Sequence, residues 1–155
     1  MRHARFLRAL VLAAASLGVA GCAVQDGSGH RPAVSADQPV KVVYHFTNGL
    51  EEASRGLGNI RNHLAADPKA KIVVVGNGLG IDFMLDGAKD RNGNPFDIAI
   101  QELKAKGVDF RLCQNTIVRR NIDRSKVLPE VSIVPSGVAE AARLQAREGY
   151  VYLRP

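Results

Sequence analysis

The sequence predicts an α/β domain: a three-layer α/β/α sandwich around a mainly parallel sheet of about five strands. Three observations carry that reading. Short apolar runs suited to strands recur along the chain, the intervening stretches place apolar residues at helical spacing, and Ile72-Val73-Val74-Val75 is an unbroken run of the kind covered on both faces. Strands alternating with helices imply βαβ units, which cross over with a right hand.

In chain order, Arg2, Arg5 and Arg8 precede an almost continuous apolar stretch from Ala9 to Ala20, the pattern of a secretory signal and too short to span a bilayer. Its end, Val19-Ala20-Gly21-Cys22, resembles the bacterial lipoprotein signal, which implies that residues 1–21 are removed and Cys22 is lipidated. From Ala23 to Pro39 the chain is rich in Gly, Ser, Asp, Gln and Pro without apolar periodicity, so residues 22–39 read as a lipidated cysteine and a flexible tether. The folded domain is then residues 40–155, enough for one core and too short for two.

Val40 to Phe46 reads as the first strand. Asn48-Gly49 opens a helix with Leu50, Ala53, Leu57, Ile60 and Leu64 on one face, and Asn48 is placed to cap it with Glu51 three residues on. Asp67-Pro68 turns into the second strand, Lys71 to Val75. A glycine-rich loop, Gly76 to Gly80, follows, then a short apolar segment from Ile81 to Leu85. Asn94 and Pro95 begin a helix with Phe96, Ile100 and Leu103 inward, ended by Gly107. Val108 to Leu112 is the third strand, followed by a polar, arginine-containing helical stretch. Val131 to Val134 is the fourth, Ser136 caps a helix ending at Gly149, and Tyr150 to Leu153 is a last strand at an edge.

The formal charge of +6 falls to +3 once residues 1–21 are set aside. A mildly basic remainder with no basic helix or aromatic platform does not point to nucleic acid. With Cys22 acylated, Cys113 is the only thiol left, so no internal disulfide forms and stability rests on packing.

Cys113 closes an apolar strand just before Gln114-Asn115-Thr116. A thiol at a strand-to-helix junction sits near helix amide dipoles, and Arg111, Arg119 and Arg120 add positive charge. Both influences lower a thiol pKa and raise its reactivity. The alternative is a small buried hydrophobe. In open α/β sheets the functional crevice lies at the carboxyl ends of the strands. The loops expected there carry His45, Thr47 and Asn48; Asn77 and Gly78; Cys113 to Thr116; and Pro135 to Gly137. Cys113 is the strong nucleophile of that set. The other candidate pocket residues are His45, Asn48, Asn77, Gly78, Asn115, Thr116 and Ser136. His45 supplies a base if the first and third strands are neighbours; otherwise it is a hydrogen-bonded strand-end histidine.

Gly76-Asn77-Gly78-Leu79-Gly80 lacks both GxGxxG spacing and the lysine and hydroxyl of a phosphate loop, and reads instead as close backbone approach. Asp90, Asn92 and Asn94 alternate like calcium ligands, but Pro95 stands where glycine is required and Gln101 where the bidentate glutamate belongs, so this is a turn-rich loop. No CxxC or HExxH is present, and neither a metal nor a cofactor is expected.

The segments KVVYHFTNGLEEASRGLGNIRNHL, KIVVVGNGLGIDFMLDGAKD, GNPFDIAIQELKAKGVDFRLCQNT and VPSGVAEAARLQAREGYVYLRP together resemble the DsrE/DsrF-like family associated with intracellular sulfur oxidation. The resemblance implies a flavodoxin-like sandwich that assembles into a homotrimer or homohexamer. It also implies a cysteine at the end of the strand before a polar loop that accepts sulfur as a persulfide, and Cys113 stands at that position. The expected partners are a sulfane-sulfur donor, a thiol acceptor and, through the lipid anchor, a membrane. The expected location is the periplasmic face of a bacterial membrane, with Ala23 after Cys22 favouring the outer one. The alternatives are an oligomeric binding or scaffold module with an inert Cys113, and a periplasmic thiol redox sensor.

Overall fold

The computed structural model describes residues 38–155. The expected signal, the lipidated Cys22 and nearly all of the tether lie outside them. Among the described residues no helix is long and apolar enough to cross a membrane.

Five strands form one sheet: β1 (Lys41–Phe46), β2 (Lys71–Gly76), β3 (Asp109–Cys113), β4 (Val131–Val134) and β5 (Val151–Leu153). Their order is β4-β3-β2-β1-β5 and every pairing is parallel. Four α-helices connect them: α1 (Gly49–Ala66), α2 (Phe96–Ala105), α3 (Gln114–Arg119) and α4 (Gly137–Glu148). The chain steps outward from β1 to β4, then α4 carries it back across the sheet to place β5 on the far side of β1. Helices cover both faces, so the architecture is the three-layer α/β sandwich that the alternation predicts, flavodoxin-like as the resemblance implies.

The two faces are unequal. Val42, Tyr44 and Phe46 of β1, Ile72 and Val74 of β2, and Phe110 and Leu112 of β3 pack with α1, α2 and the 3₁₀ segment Gly78–Met84 in the larger core. The alternate residues Val43, Val73 and Val75 meet Ala141 and Leu144 of α4, with Tyr150 packed against them. That smaller face brings α4 against the ends of the central strands.

Two local differences from the sequence reading follow from burial. Ile81 to Met84 belong to the 3₁₀ segment and Leu85 caps its end, with Ile81, Phe83 and Met84 fully buried, because these side chains cap the core between α1 and α2. β3 is one residue later than expected and includes Cys113, which pairs with Val134.

The glycine-rich loop is a close backbone approach. A Cβ on Gly80 would lie 2.1 Å from the carbonyl oxygen of Phe46, and one on Gly76 would lie 2.7 Å from that of Gly80. Gly78 has φ +59°. The Asp90 loop is turn-rich as read: Asp90 accepts hydrogen bonds from the amides of Asn92 and Asn94 and from the Asn94 side chain. Ser136 caps α4 by accepting from the amide of Ala139, and Gly149 closes it in the left-handed conformation.

Candidate functional site

All strands run in one direction, so the loops after β1, β2, β3 and β4 lie at one end of the sheet. Cys113 ends β3 and stands at the N-cap of α3. It is 4% exposed. Strand alternation puts it on the α4 face with Arg111 and Asp109, opposite Phe110 and Leu112. Gly137, the first residue of α4, comes up against it: a Cβ there would lie 3.2 Å from Cys113 Cβ, 3.3 Å from Asn77 Cβ and 3.2 Å from the Gly76 carbonyl oxygen. Glycine at 137 therefore lets the start of α4 close over the thiol.

Burial pushes the Cys113 thiol up, but the amides of Gly137, Thr116 and Asn115 and the hydroxyl of Thr116 outweigh it. The net effect holds the thiol below its ordinary value. Thr116 is 2% exposed, and its hydroxyl oxygen accepts a 3.0 Å hydrogen bond from the amide of Gly78. With that acceptance fixed, the hydroxyl proton is free to turn to sulfur. Chemically, the arrangement is a nucleophilic sulfur in a cradle of N–H and O–H donors.

The arginines expected to lower the thiol pKa do not do so. Arg111 donates to Asp109 at 2.7 and 2.8 Å and also pairs with Glu140. Arg120 binds Asp82 at 2.6 Å and the Gly78 carbonyl at 2.9 Å. Arg119 is exposed at the end of α3. Carboxylates compensate two of the three charges, so backbone and hydroxyl dipoles act on the sulfur in their place.

The condition for His45 as a base is not met. β2 separates β1 from β3, and His45 is level with Val75 and Arg111, two residues short of Cys113. That puts it about 10 Å away across the sheet alone. His45 is 8% exposed and holds side chains, not backbone: Nδ1 lies 3.0 Å from the Tyr152 hydroxyl and Nε2 lies 2.9 Å from Asn77 Oδ1. Burial pushes its pKa down, with a smaller push from the Arg154 charge, against the Asn77 hydrogen bond and the Glu52 charge, which favours the neutral ring.

Asn48 stands apart from the thiol. It makes no side-chain cap, and Glu52, not Glu51, reaches back over the loop. The buried Glu52 carboxylate accepts from the amides of Thr47 and Asn48, both at 2.7 Å, and from Asn48 Nδ2 at 3.1 Å. The helical turn puts residue 52 beneath the loop and leaves residue 51 outside.

The fold thus gathers Cys113, Asn115, Thr116, Asn77, Gly78 and Gly137, with Ser136 holding the start of α4. His45 joins only through Asn77. Sequence reasoning put Gly137 in a loop at this end of the sheet but did not count it among the pocket residues, although its place after the capping Ser136 was a usable signal. It also missed Tyr152, which nothing local in the sequence connects to His45. Two cavities of about 360 and 420 Å³ lie elsewhere, between α1 and the loop from Lys89 to Phe96, and none of these residues lines them. The Cys113 chemistry outweighs their size, because they present no thiol, and the Ser54 hydroxyl that lines both donates to the Leu50 carbonyl.

Fold and site together define a parallel-sheet α/β domain with a donor-cradled cysteine at the carboxyl end of its third strand. Residues 40–155 match the DsrE/DsrF-like family, and the chain belongs to it. That family is associated with sulfur metabolism. Among solved structures, the chain is similar to the protein of unknown function MTH1491 from Methanobacterium thermoautotrophicum. The two share 29% identity with a TM-score of 0.67, over 75% of this chain and 99% of that one. It is also similar in fold to the ychN protein from E. coli, at 18% identity and a TM-score of 0.61, over 76% of this chain and 99% of that one. No curated protein matches the chain.

Proposed function

We propose that this chain is a sulfur-binding or sulfur-transfer protein that carries sulfane sulfur as a persulfide on Cys113, tethered as a lipoprotein to the periplasmic face of a bacterial membrane, with the outer membrane favoured. The observation that carries the proposal is the place of the buried thiol at the carboxyl end of β3, at the N-cap of α3 and against the first residue of α4, where neighbouring amides and the Thr116 hydroxyl pull its pKa down. The Cys113 thiolate attacks the outer sulfur of a donor R–S–SH. The donor S–S bond breaks, a Cys113 S–S bond forms, and the electron pair leaves on R–S⁻. An acceptor thiolate takes the outer sulfur in the same way and releases Cys113 as thiolate, so no external oxidant or reductant is consumed. Donor and acceptor belong to the classes of sulfane-sulfur compounds and thiols. The membrane attachment rests on the sequence from Arg2 to Cys22, and assembly into a homotrimer or homohexamer rests on family membership.

The test is to incubate the protein with a polysulfide donor and take an intact mass beside the Cys113→Ser variant. The expected result is added mass in steps of one sulfur atom, removable by reductant and absent from the variant. The low exposure of Cys113 favours a second reading, an inert core thiol in a binding or scaffold module. A native thiol that takes up no sulfur and reacts only after denaturation selects that reading. Sulfenylation by peroxide without sulfur uptake selects the redox sensor.

A further inference from the structure

Tyr152, His45 and Asn77 form a hydrogen-bonded row leading from the sheet edge toward the thiol. Tyr152 lies on β5 at that edge, His45 on β1 is nearly buried, and Asn77 follows β2. The neutral imidazole donates with one nitrogen and accepts with the other. Asn77 offers Oδ1, an acceptor, at 2.9 Å from Nε2. Nε2 therefore carries the proton, and Tyr152 donates to Nδ1 at 3.0 Å. With Oδ1 tied to His45, the planar amide directs its NH₂ group away from the imidazole, and no hydrogen-bond acceptor among the described residues takes it. Asn77 Cβ and Cys113 Cβ flank one point, 3.3 and 3.2 Å from where a Gly137 Cβ would stand.

We infer that Asn77 Nδ2 is a donor to the anionic end of whatever is bound or carried at Cys113, with His45 and Tyr152 as positioning residues that fix the amide. The inference rests on the Cys113 reading. It specifies the ligand class: an anion, such as the ionised outer sulfur of a persulfide or a negatively charged sulfane donor, in preference to a neutral thiol reagent. His45 works through its hydrogen bonds and abstracts no proton.

The experiment compares alkylation of Cys113 by iodoacetate and by iodoacetamide in the native full-length chain, with labelling at Cys113 read by peptide mass spectrometry. The two reagents differ in charge and share the same leaving group, so their rate ratio reports donors near sulfur and cancels changes in thiol exposure. Asn77→Ala is expected to lower the iodoacetate-to-iodoacetamide ratio roughly tenfold, the scale of one hydrogen bond to a charge. Asn77→Asp lowers it further by adding a like charge. Tyr152→Phe and His45→Gln lower it in the same direction and by less, because they free the amide without removing it.

An unchanged ratio in both Asn77 variants overturns the inference, as does equal slowing by both reagents. A raised ratio in Asn77→Ala also overturns it, since the amide then presents its oxygen to the site. Polysulfide uptake in the parent with an unchanged ratio leaves sulfur carriage standing and removes Asn77. Charge-selective alkylation without sulfur uptake does the reverse. A native Cys113 inert to both reagents removes both.

Discussion

At Cys113, burial and local hydrogen bonding oppose each other. Burial disfavours the thiolate, while three amides and one hydroxyl favour it, and the hydrogen bonds prevail. Thr116 is the part of this balance open to side-chain substitution, since the amides belong to the backbone. The rate of iodoacetamide reaction against pH should therefore rise with a midpoint below the ordinary free-thiol value. Thr116→Val should move that midpoint upward and slow reaction several-fold at pH 7, whereas Thr116→Ser should keep it low. A Thr116→Val profile superimposed on the parent's would show that the hydroxyl does not act on sulfur. At this scale, the sequence revealed the thiol and the polar residues after it, because both are local. It misassigned the electrostatics, because Asp82 and Glu140, which occupy Arg120 and Arg111, lie 38 and 29 residues away along the chain.

Among the elements, the connection after β2 ties the end of β1 to the start of α3, and its glycines differ in consequence from those of α1. Gly80→Ala drives a methyl group into the Phe46 carbonyl and the Thr47 amide, backbone atoms that cannot rotate away. The expected cost is about 1–3 kcal/mol, read as a lowered denaturant midpoint. Gly58 lies inside α1 with nothing within 4 Å of an added Cβ. Gly58→Ala should therefore stabilise by about 0.5–1 kcal/mol by relieving the entropy cost of glycine in a helix. Equal effects of the two substitutions would contradict the close approach. The limits of β1, β4, α1 and α4 were legible to within a residue, since apolar period, capping Ser136 and terminating Gly149 are all local signals. The 3₁₀ segment was not: its seven residues are too few to show a period, and only contact with α1 and α2 reveals why Ile81, Phe83 and Met84 are buried.

Among the described residues, one face of the sheet is buried thoroughly and the other lies under α4, with Tyr150 beside it. Val151, Tyr152 and Leu153 remain exposed along the β5 edge, with Val40 nearby. An exposed apolar edge invites association. On the proposed homotrimer or homohexamer, the mass in solution by light scattering should be three or six times that of the chain, and a monomer at micromolar concentration would end the oligomer proposal. The sequence by itself determined the fold class, the succession of elements and the position of Cys113 at a strand end, because hydrophobic period, turn chemistry and caps act between residues close in the chain. Only the tertiary structure decided that β2 stands between β1 and β3. From that order come the separation of His45 from the thiol, the interposed Asn77 and the approach of Gly137. Strand order is fixed by which faces pack best against which helices, a sum over distant contacts that no local stretch of sequence carries.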